Sequence, residues 1–224
     1  MEEREADATI AAVLGYPPLE IARAFQDPDF ASQPLAASES SGAPWAHLVA
    51  LYQTNQSLWK AEDAAHAAGI ADETLASLKR QIDSLNLRRN ELIEAIDQIF
   101  RKMLCAGSNS SAPPLHDSPG LILDRLSIES LRAMVLRENA KYAGSANGSR
   151  DLLAIEQEMD ALVERLREII TAVISGRRTL RQTPRVKIHR APNDFRVKGN
   201  GSASKSSSGK ERSADPTPPD TAER

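Results

Sequence analysis

The chain has 224 residues, of which 41% are hydrophobic and only 4% aromatic, a mixture that favours one helical domain with an aliphatic core. The 28 basic and 31 acidic residues leave a net charge of −3, which argues against a nucleic-acid partner, and a single cysteine, Cys105, excludes an internal disulfide and a cysteine-rich zinc site. Because the N-terminus lacks the apolar run of a secretory signal and no stretch reaches the roughly 20 apolar residues that cross a bilayer, we expect a cytoplasmic protein with no transmembrane segment.

The N-terminal segment, residues 1–43, is expected to be variable and to contain one or two short helices. Residues 9–14 and 18–25 have helical character and are separated by a Gly-Tyr-Pro-Pro turn. Residues 38–43 are rich in Ser and Gly, which predicts a linker to a domain that begins near Pro44.

Apolar residues recur at helical spacing in four further stretches. They predict helices over about residues 44–68, 72–105, 118–143 and 150–176. The second helix has the most regular pattern, a heptad seam interrupted by Arg89. Four such helices joined by short turns pack most simply as an antiparallel four-helix bundle. We therefore predict an all-α fold whose bundle domain occupies residues 44–197.

The chain changes character after the last predicted helix. Residues 177–197 are rich in Lys, Arg and His, and a short extended segment is expected within them. This basic segment could bind phosphate groups, dock on another protein, or simply be solvated. Residues 198–224 are dominated by Ser, Gly, Pro and charged residues, which predicts a disordered C-terminal tail.

Three sequence blocks stand out in the helical region. They are LYQTNQSLWKAED (51–63), IDSLNLRRNELIE (82–94) and PGLILDRLSI (119–128). In these blocks the chain resembles a bacterial family, domain of unknown function 4254, over roughly residues 47–193. The resemblance implies a helical cytoplasmic protein, loosely associated with glycosyltransferases that build envelope polysaccharide or lipopolysaccharide. It assigns no activity and no catalytic residue.

Antiparallel packing is expected to bring several polar residues to one level, near the loop between the second and third long helices. The residues at this level are His47, Glu94, Asp97, Asp124, Arg125, Ser127 and Glu168. Asn86 and Asn90 lead along the second helix from that level towards Asn55. Asn disfavours helix interiors, so we expect these side chains to form a hydrogen-bond network that fixes helix register. This structural role is the simpler interpretation.

A catalytic or metal-binding role for the same level is the alternative. Glu94 and Asp97 lie on one helical face, and with Asp124 and Arg125 they are the candidate catalytic residues. Together with His47, the three carboxylates could hold Mg²⁺ or Mn²⁺ through oxygen ligands. The sequence itself requires no cofactor.

A ligand-binding role is suggested by the two arginines that interrupt apolar seams. Arg89 and Arg125 are suited to bind a carboxylate or a phosphate, although a salt bridge from Arg125 to Glu168 or Asp124 would explain that residue equally well. The candidate binding residues are Asn55, Trp59, Asn86, Arg89, Asn90 and Ser127.

Three functions remain open on these patterns. The preferred one is a non-enzymatic helical accessory or binding module in envelope-glycan biosynthesis, with a second copy or a biosynthetic enzyme as its partner. The second is a small metal- or anion-dependent enzyme that acts on a phosphorylated or carboxylated metabolite. The third is a peripheral module that binds an anionic membrane or phosphate through the basic segment.

Overall fold

Six α-helices make up most of the described chain. The computed structural model describes residues 2–14, 18–27, 44–104, 111–143 and 146–181. The helices in these ranges are α1 (Glu2–Leu14), α2 (Pro18–Ala24), α3 (Pro44–Ala65), α4 (Asp72–Leu104), α5 (Pro119–Ala143) and α6 (Ala146–Ile174). The predicted all-α fold is confirmed. Cys105, the tail over residues 198–224 and the basic segment from residue 182 onward lie outside the described residues.

Local sequence explains where the long helices begin and end. Helix α4 has Asp72 and Glu73 in its first turn and Arg101 and Lys102 in its last, which stabilises both ends of the helix dipole. Gly69 has φ of 76°, a left-handed conformation that glycine adopts without steric cost. Helix α3 therefore ends before Gly69, slightly earlier than the predicted boundary.

The core of the bundle lies between two helical hairpins. The most extensive helix contacts are α3 with α4 and α5 with α6, and α5 also packs on both α3 and α4. Aliphatic and aromatic side chains fill the centre, among them the fully buried Leu48, Ile96, Phe100, Leu123 and Leu166. Burial of each such side chain contributes about 1.5–3 kcal/mol relative to exposure. The apolar seams predicted from spacing are thus the contact surfaces of the bundle.

The two N-terminal helices contribute to the same core. Ile10, Ile21 and Phe25 are fully buried, and α1 packs mainly on α6. The Phe25 ring stacks on Tyr52 of α3, with ring centroids 5.3 Å apart and planes 8° apart. Helices α1 and α2 are therefore integral to the packed unit, whereas the sequence variability expected for residues 1–43 stays a prediction.

Helix α4 is buried in its C-terminal half only. Leu92, Ile96 and Phe100 are buried, whereas Leu78 and Ile82 of the preceding turns are half-buried. The first part of α4 and the end of α3 thus form a hairpin that extends beyond the best-packed region. None of the described helices is long and apolar enough to span a membrane.

The loop before α5 is fastened to the chain that follows α6. The amide of Leu115 donates to the carbonyl oxygen of Thr179 at 2.9 Å. The amide of Thr179 in turn donates to the carbonyl oxygen of Pro113 at 3.2 Å. The next residue, Leu180, is buried. The start of the basic segment is therefore held against the bundle.

Candidate functional site

A buried polar cluster joins α3, α4 and α5. The Asp124 carboxylate accepts two hydrogen bonds from Arg89, Nε to Oδ1 at 2.8 Å and Nη2 to Oδ2 at 2.5 Å. The amide nitrogen of Asn55 donates to Asp124 Oδ1 at 2.9 Å and to the Ser127 hydroxyl at 2.6 Å. We call these four residues the Asp124 cluster. Asn55, Asp124 and Ser127 are buried, and 29% of the Arg89 side chain is exposed.

Hydrogen bonding determines the orientation of the Asn55 side chain. The Ser127 hydroxyl already donates to the backbone oxygen of Asp124 at 2.8 Å, so it can only accept from Asn55. The Asp124 carboxylate is also an acceptor. Because both neighbours need a donor, the amide nitrogen faces them and the carbonyl oxygen of Asn55 faces away from them.

The Arg89–Asp124 contact is a two-point pair between charged groups. The hydrogen bond to Asp124 raises the pKa of Arg89, and this effect outweighs the lowering caused by burial. Paired, charge-assisted hydrogen bonds are stronger than neutral ones and restrict the guanidinium to one orientation. In the described part of the chain, every buried side-chain nitrogen or oxygen has a hydrogen-bond partner. The cluster is consequently able to hold three helices in register.

A cleft of about 350 Å³, which we call the hairpin cleft, opens beside the Asp124 cluster where the α3–α4 hairpin diverges from α5. Its apolar wall includes Trp59, which is half-buried. Amides and charged groups form the rest of its wall. These polar residues are Asn55, Glu62, Asp63, Asn86 and Arg89. The structure thus brings together four of the predicted binding residues, Asn55, Trp59, Asn86 and Arg89.

Asn90 does not join the other predicted binding residues. It lies one helical turn after Asn86 but is exposed, whereas Asn86 is half-buried in the cleft wall. Adjacent helix residues are about 100° apart, so Arg89 and Asn90 point in different directions. Arg89 is the one that enters the polar cluster. Of the polar residues of α4 that were expected to form a hydrogen-bond network, Asn86 is half-buried, Asp97 is buried and Asn90 is exposed.

Arg125 lies apart from the Asp124 cluster, in a second cleft of about 520 Å³ between α5 and α6. It pairs with Glu158 at 2.9 Å, and 63% of its side chain is exposed. Glu168, the partner considered from the sequence, pairs instead with Arg165 at 2.9 Å. Glu158 and Glu168 are about 15 Å apart along α6 at 1.5 Å per residue, so the relative register of α5 and α6 differs from the predicted one. We call the 520 Å³ cavity that Arg125 lines the α5–α6 cleft.

Asp97 is buried at the start of α5, away from the hairpin cleft. Its Oδ1 accepts a hydrogen bond from the amide of Gly120 at 2.7 Å. Burial raises the pKa of Asp97, and this effect exceeds the lowering by hydrogen bonds from Ser118 and Gly120 and by the charge of Arg101. A carboxylate in this position satisfies an amide that the first turn of a helix leaves without an intrahelical partner. Asp97 therefore acts as a cap for α5.

The remaining candidates for a metal or catalytic site are also separated. Glu94 accepts hydrogen bonds from Arg101 at 2.7 Å and Gln98 at 3.2 Å, and His47 is half-buried on α3. Among the described residues, no group of three or more His, Cys, Asp or Glu side chains is placed to hold a metal ion. The level predicted to unite His47, Glu94, Asp97 and Asp124 is divided into separate contacts, and only Asp124 and Ser127 remain together.

A third cleft, of about 570 Å³, was not predicted from the sequence and lies beside the C-terminal half of α6. Arginines dominate its charged lining, and we call it the arginine cleft. They are Arg165, Arg167, Arg177 and Arg178. Arg165 pairs with Asp117 and Glu168, and Arg167 with Asp7 and Glu164. The run of basic residues from position 177 was the only sequence signal of this surface, since Arg165 and Arg167 come from the C-terminal half of α6.

The four long helices and the Asp124 cluster match a known protein family. A family model described as protein of unknown function (DUF4254) matches residues 45–182. The chain belongs to this family. The matched range includes α3 to α6 and the residues of the Asp124 cluster, which confirms the membership inferred from the three sequence blocks. No curated protein and no solved structure matched the chain.

Proposed function

We propose that the protein is a non-catalytic helical binding module that acts in the cytoplasm beside enzymes of envelope polysaccharide or lipopolysaccharide synthesis. The observation that carries the binding role is that Asn55 and Arg89, held in place by their hydrogen bonds to Asp124, line the preformed hairpin cleft. Concave sites that combine apolar walls with a few fixed polar groups are the usual form of small-ligand sites. The pathway is supported by the family resemblance alone.

Internal contacts of the candidate catalytic residues favour binding over catalysis. Asp124 is held by Arg89, Asp97 by the start of α5, and Glu94 by Arg101. A general acid or base must come within hydrogen-bond reach of the substrate. Arg125, the fourth candidate, is on the other side of α5 from Arg89 and pairs with Glu158. The four groups therefore have no common point at which a reacting atom could contact all of them.

Ligand-dependent stabilisation of the full chain tests the proposal. Thermal unfolding is measured with monosaccharides, oligosaccharides, sugar nucleotides, Mg²⁺ and Mn²⁺. A ligand present at 100 times its dissociation constant stabilises by about 2.7 kcal/mol, which corresponds to roughly 5–11 °C for a unit of this size. Asn86→Ala, in the cleft wall, should abolish the shift. Asn90→Ala is the matched control, since it removes the same side chain from an exposed site one turn along α4. Absence of a shift with every ligand, or an equal shift in both variants, would contradict the proposal.

A second candidate function is binding of phosphate groups at the arginine cleft. The specific observation is that Arg177 and Arg178, at the start of the basic segment, are exposed beside Arg165 and Arg167. Arg165 and Arg167 pair with Asp117 and Asp7, so the added positive charge of Arg177 and Arg178 is what would attract a phosphate group.

Substitution is the appropriate test of this second candidate, because deletion would remove the buried Leu180. The double variant Arg177→Gln, Arg178→Gln should lose a salt-sensitive stabilisation by inorganic phosphate and any co-sedimentation with anionic vesicles. Vesicle binding that is unchanged in the double variant would exclude this surface. Sedimentation velocity on the same samples measures the oligomeric state, and therefore whether the protein binds a second copy of itself.

A further inference from the structure

Trp59 connects the two clefts on either side of α5. It lines the hairpin cleft together with Asn86 and Arg89, and it lines the α5–α6 cleft together with Arg132 and Asp151. The side chain is half-buried, so part of the indole is accessible. Trp59 is therefore a wall residue that both clefts share.

The dimensions suit a ligand longer than one small ring. The two cavities measure about 350 and 520 Å³. Each lies within the range of about 300–1,000 Å³ that is typical of small-ligand pockets. A shared aromatic wall between two pockets of this size is an arrangement in which consecutive units of one chain-like molecule can each occupy a pocket.

Charge restricts the chemical class of that ligand. In the hairpin cleft, the charge of Arg89 is matched by Asp124, and Glu62 and Asp63 add exposed carboxylates. In the α5–α6 cleft, the two arginines are matched by acidic partners at 2.9 and 3.0 Å, and Asp151 adds another carboxylate. The excess of negative charge repels phosphates and carboxylates and favours neutral or amine-bearing ligands.

Hydrogen-bonding capacity restricts the class further. The Asn55 carbonyl oxygen is an acceptor, the Arg89 guanidinium is a donor, and the Asn86 amide is both. Each sugar hydroxyl donates and accepts, and the C–H face of a sugar ring can pack on an indole, whose face is apolar.

We infer that the hairpin cleft and the α5–α6 cleft form one extended site for a neutral or amine-bearing oligosaccharide, with Trp59 at the centre. This inference rests on the proposed binding function and adds the class and length of the ligand. Units on both sides of α5 contribute to affinity, so affinity increases with chain length until both clefts are filled.

Isothermal titration calorimetry of the full chain tests the inference with three oligomer series, β-1,4-linked glucose, β-1,4-linked glucosamine and oligogalacturonate. Affinity for the neutral or amine-bearing series should rise by about tenfold or more from one unit to four, equivalent to about 1.4 kcal/mol per tenfold. Oligogalacturonate should not bind. Asp151→Ala should weaken the four-unit oligomer and leave the single sugar unchanged. Asp160→Ala, an exposed Asp of α6 outside the cleft lining, should change neither.

The outcomes separate the extended site from the binding function itself. Single-sugar binding that Asn86→Ala abolishes but that does not strengthen with length would overturn the extended site and retain the binding module. Preference for oligogalacturonate would overturn the charge argument. Stabilisation only by a non-sugar ligand would overturn the ligand class. If no compound in either experiment binds, both proposals are wrong.

Discussion

Replacing Arg89 by Ala should destabilise the protein through the carboxylate that it leaves behind. Arg89 makes two charge-assisted hydrogen bonds to Asp124, whose side chain is only 6% exposed. Breaking a buried charge pair by removing one partner typically costs 3–5 kcal/mol. Because Asn55 would still donate to Asp124, and because Arg89 is itself partly exposed, we expect a value near the lower end, about 3 kcal/mol.

A double-mutant cycle measures how much of that cost belongs to the pair. Asp124→Ala should also cost about 3 kcal/mol, since it removes the acceptor for both Arg89 and Asn55. The double variant should cost about 4 kcal/mol rather than the sum of the two, because the second substitution removes a group that has already lost its partner. The expected coupling between Arg89 and Asp124 is therefore about 2 kcal/mol.

Urea unfolding followed by far-UV circular dichroism gives the four free energies, with an unchanged denaturant slope as the sign that only stability has altered. Arg80→Ala, at an exposed site of the same helix, is the control and should stay within about 0.5 kcal/mol of the unmodified protein. A loss below about 1 kcal/mol for Arg89→Ala, or strictly additive losses in the cycle, would refute the assignment of the cluster as an inter-helix contact.

Three further predictions concern the core and the start of α5. Burial raises the pKa of Asp97 above its ordinary value near 3.8, so the stability it adds is complete below that pH and is lost as pH rises through the folded pKa. The advantage of the unmodified protein over Asp97→Asn in urea unfolding should thus shrink as pH rises above about 4; a constant difference would contradict this. Gly120→Ala should cost about 2–3 kcal/mol, because its Cβ would lie 2.5 Å from a backbone oxygen of α4, whereas Gly69→Ala, with φ of 76° and open space, should cost about 1 kcal/mol. Equal losses in the two glycine variants would show that the close approach of α5 to α4 is relaxed. Phe25→Ala should cost about 3–5 kcal/mol in the same assay, and a loss below about 1 kcal/mol would show that the residue after α2 is not part of the core.

Helices α3 to α6 could be predicted because their signals are local. The apolar spacing of Leu92 and Ile96 in α4 follows the helical period, and both residues are buried. Prolines at the first positions of α3 and α5 and Gly69 after α3 mark helix boundaries in the same direct way. The family blocks are likewise properties of the chain itself, and their match extends over the same four helices.

The candidate site could be predicted only in part, because its geometry depends on contacts between distant segments. Asn55 was expected beside Asn86, away from Asp124, but it donates hydrogen bonds to both Asp124 and Ser127, which were expected at one level. Asp97 was expected beside them, but it caps α5 through Gly120, whose lack of a side chain allows a close approach that spacing does not encode. Asn90 was expected to join a hydrogen-bond network between helices, and it is exposed.

The sequence by itself determined the all-α class, the apolar seams of the helices and the family, because the helical period and the family motifs depend only on residues that are close together in the chain. Only the tertiary structure decided between Arg89 and Arg125, which interrupt apolar patterns in the same way. Arg89 binds the buried Asp124, whereas Arg125, the next residue after Asp124, faces α6 and pairs with Glu158. Adjacent residues on a helix are about 100° apart, so the rotation and register of each helix against its neighbours determine which charge is buried, and these are set by packing between segments that are distant in the chain.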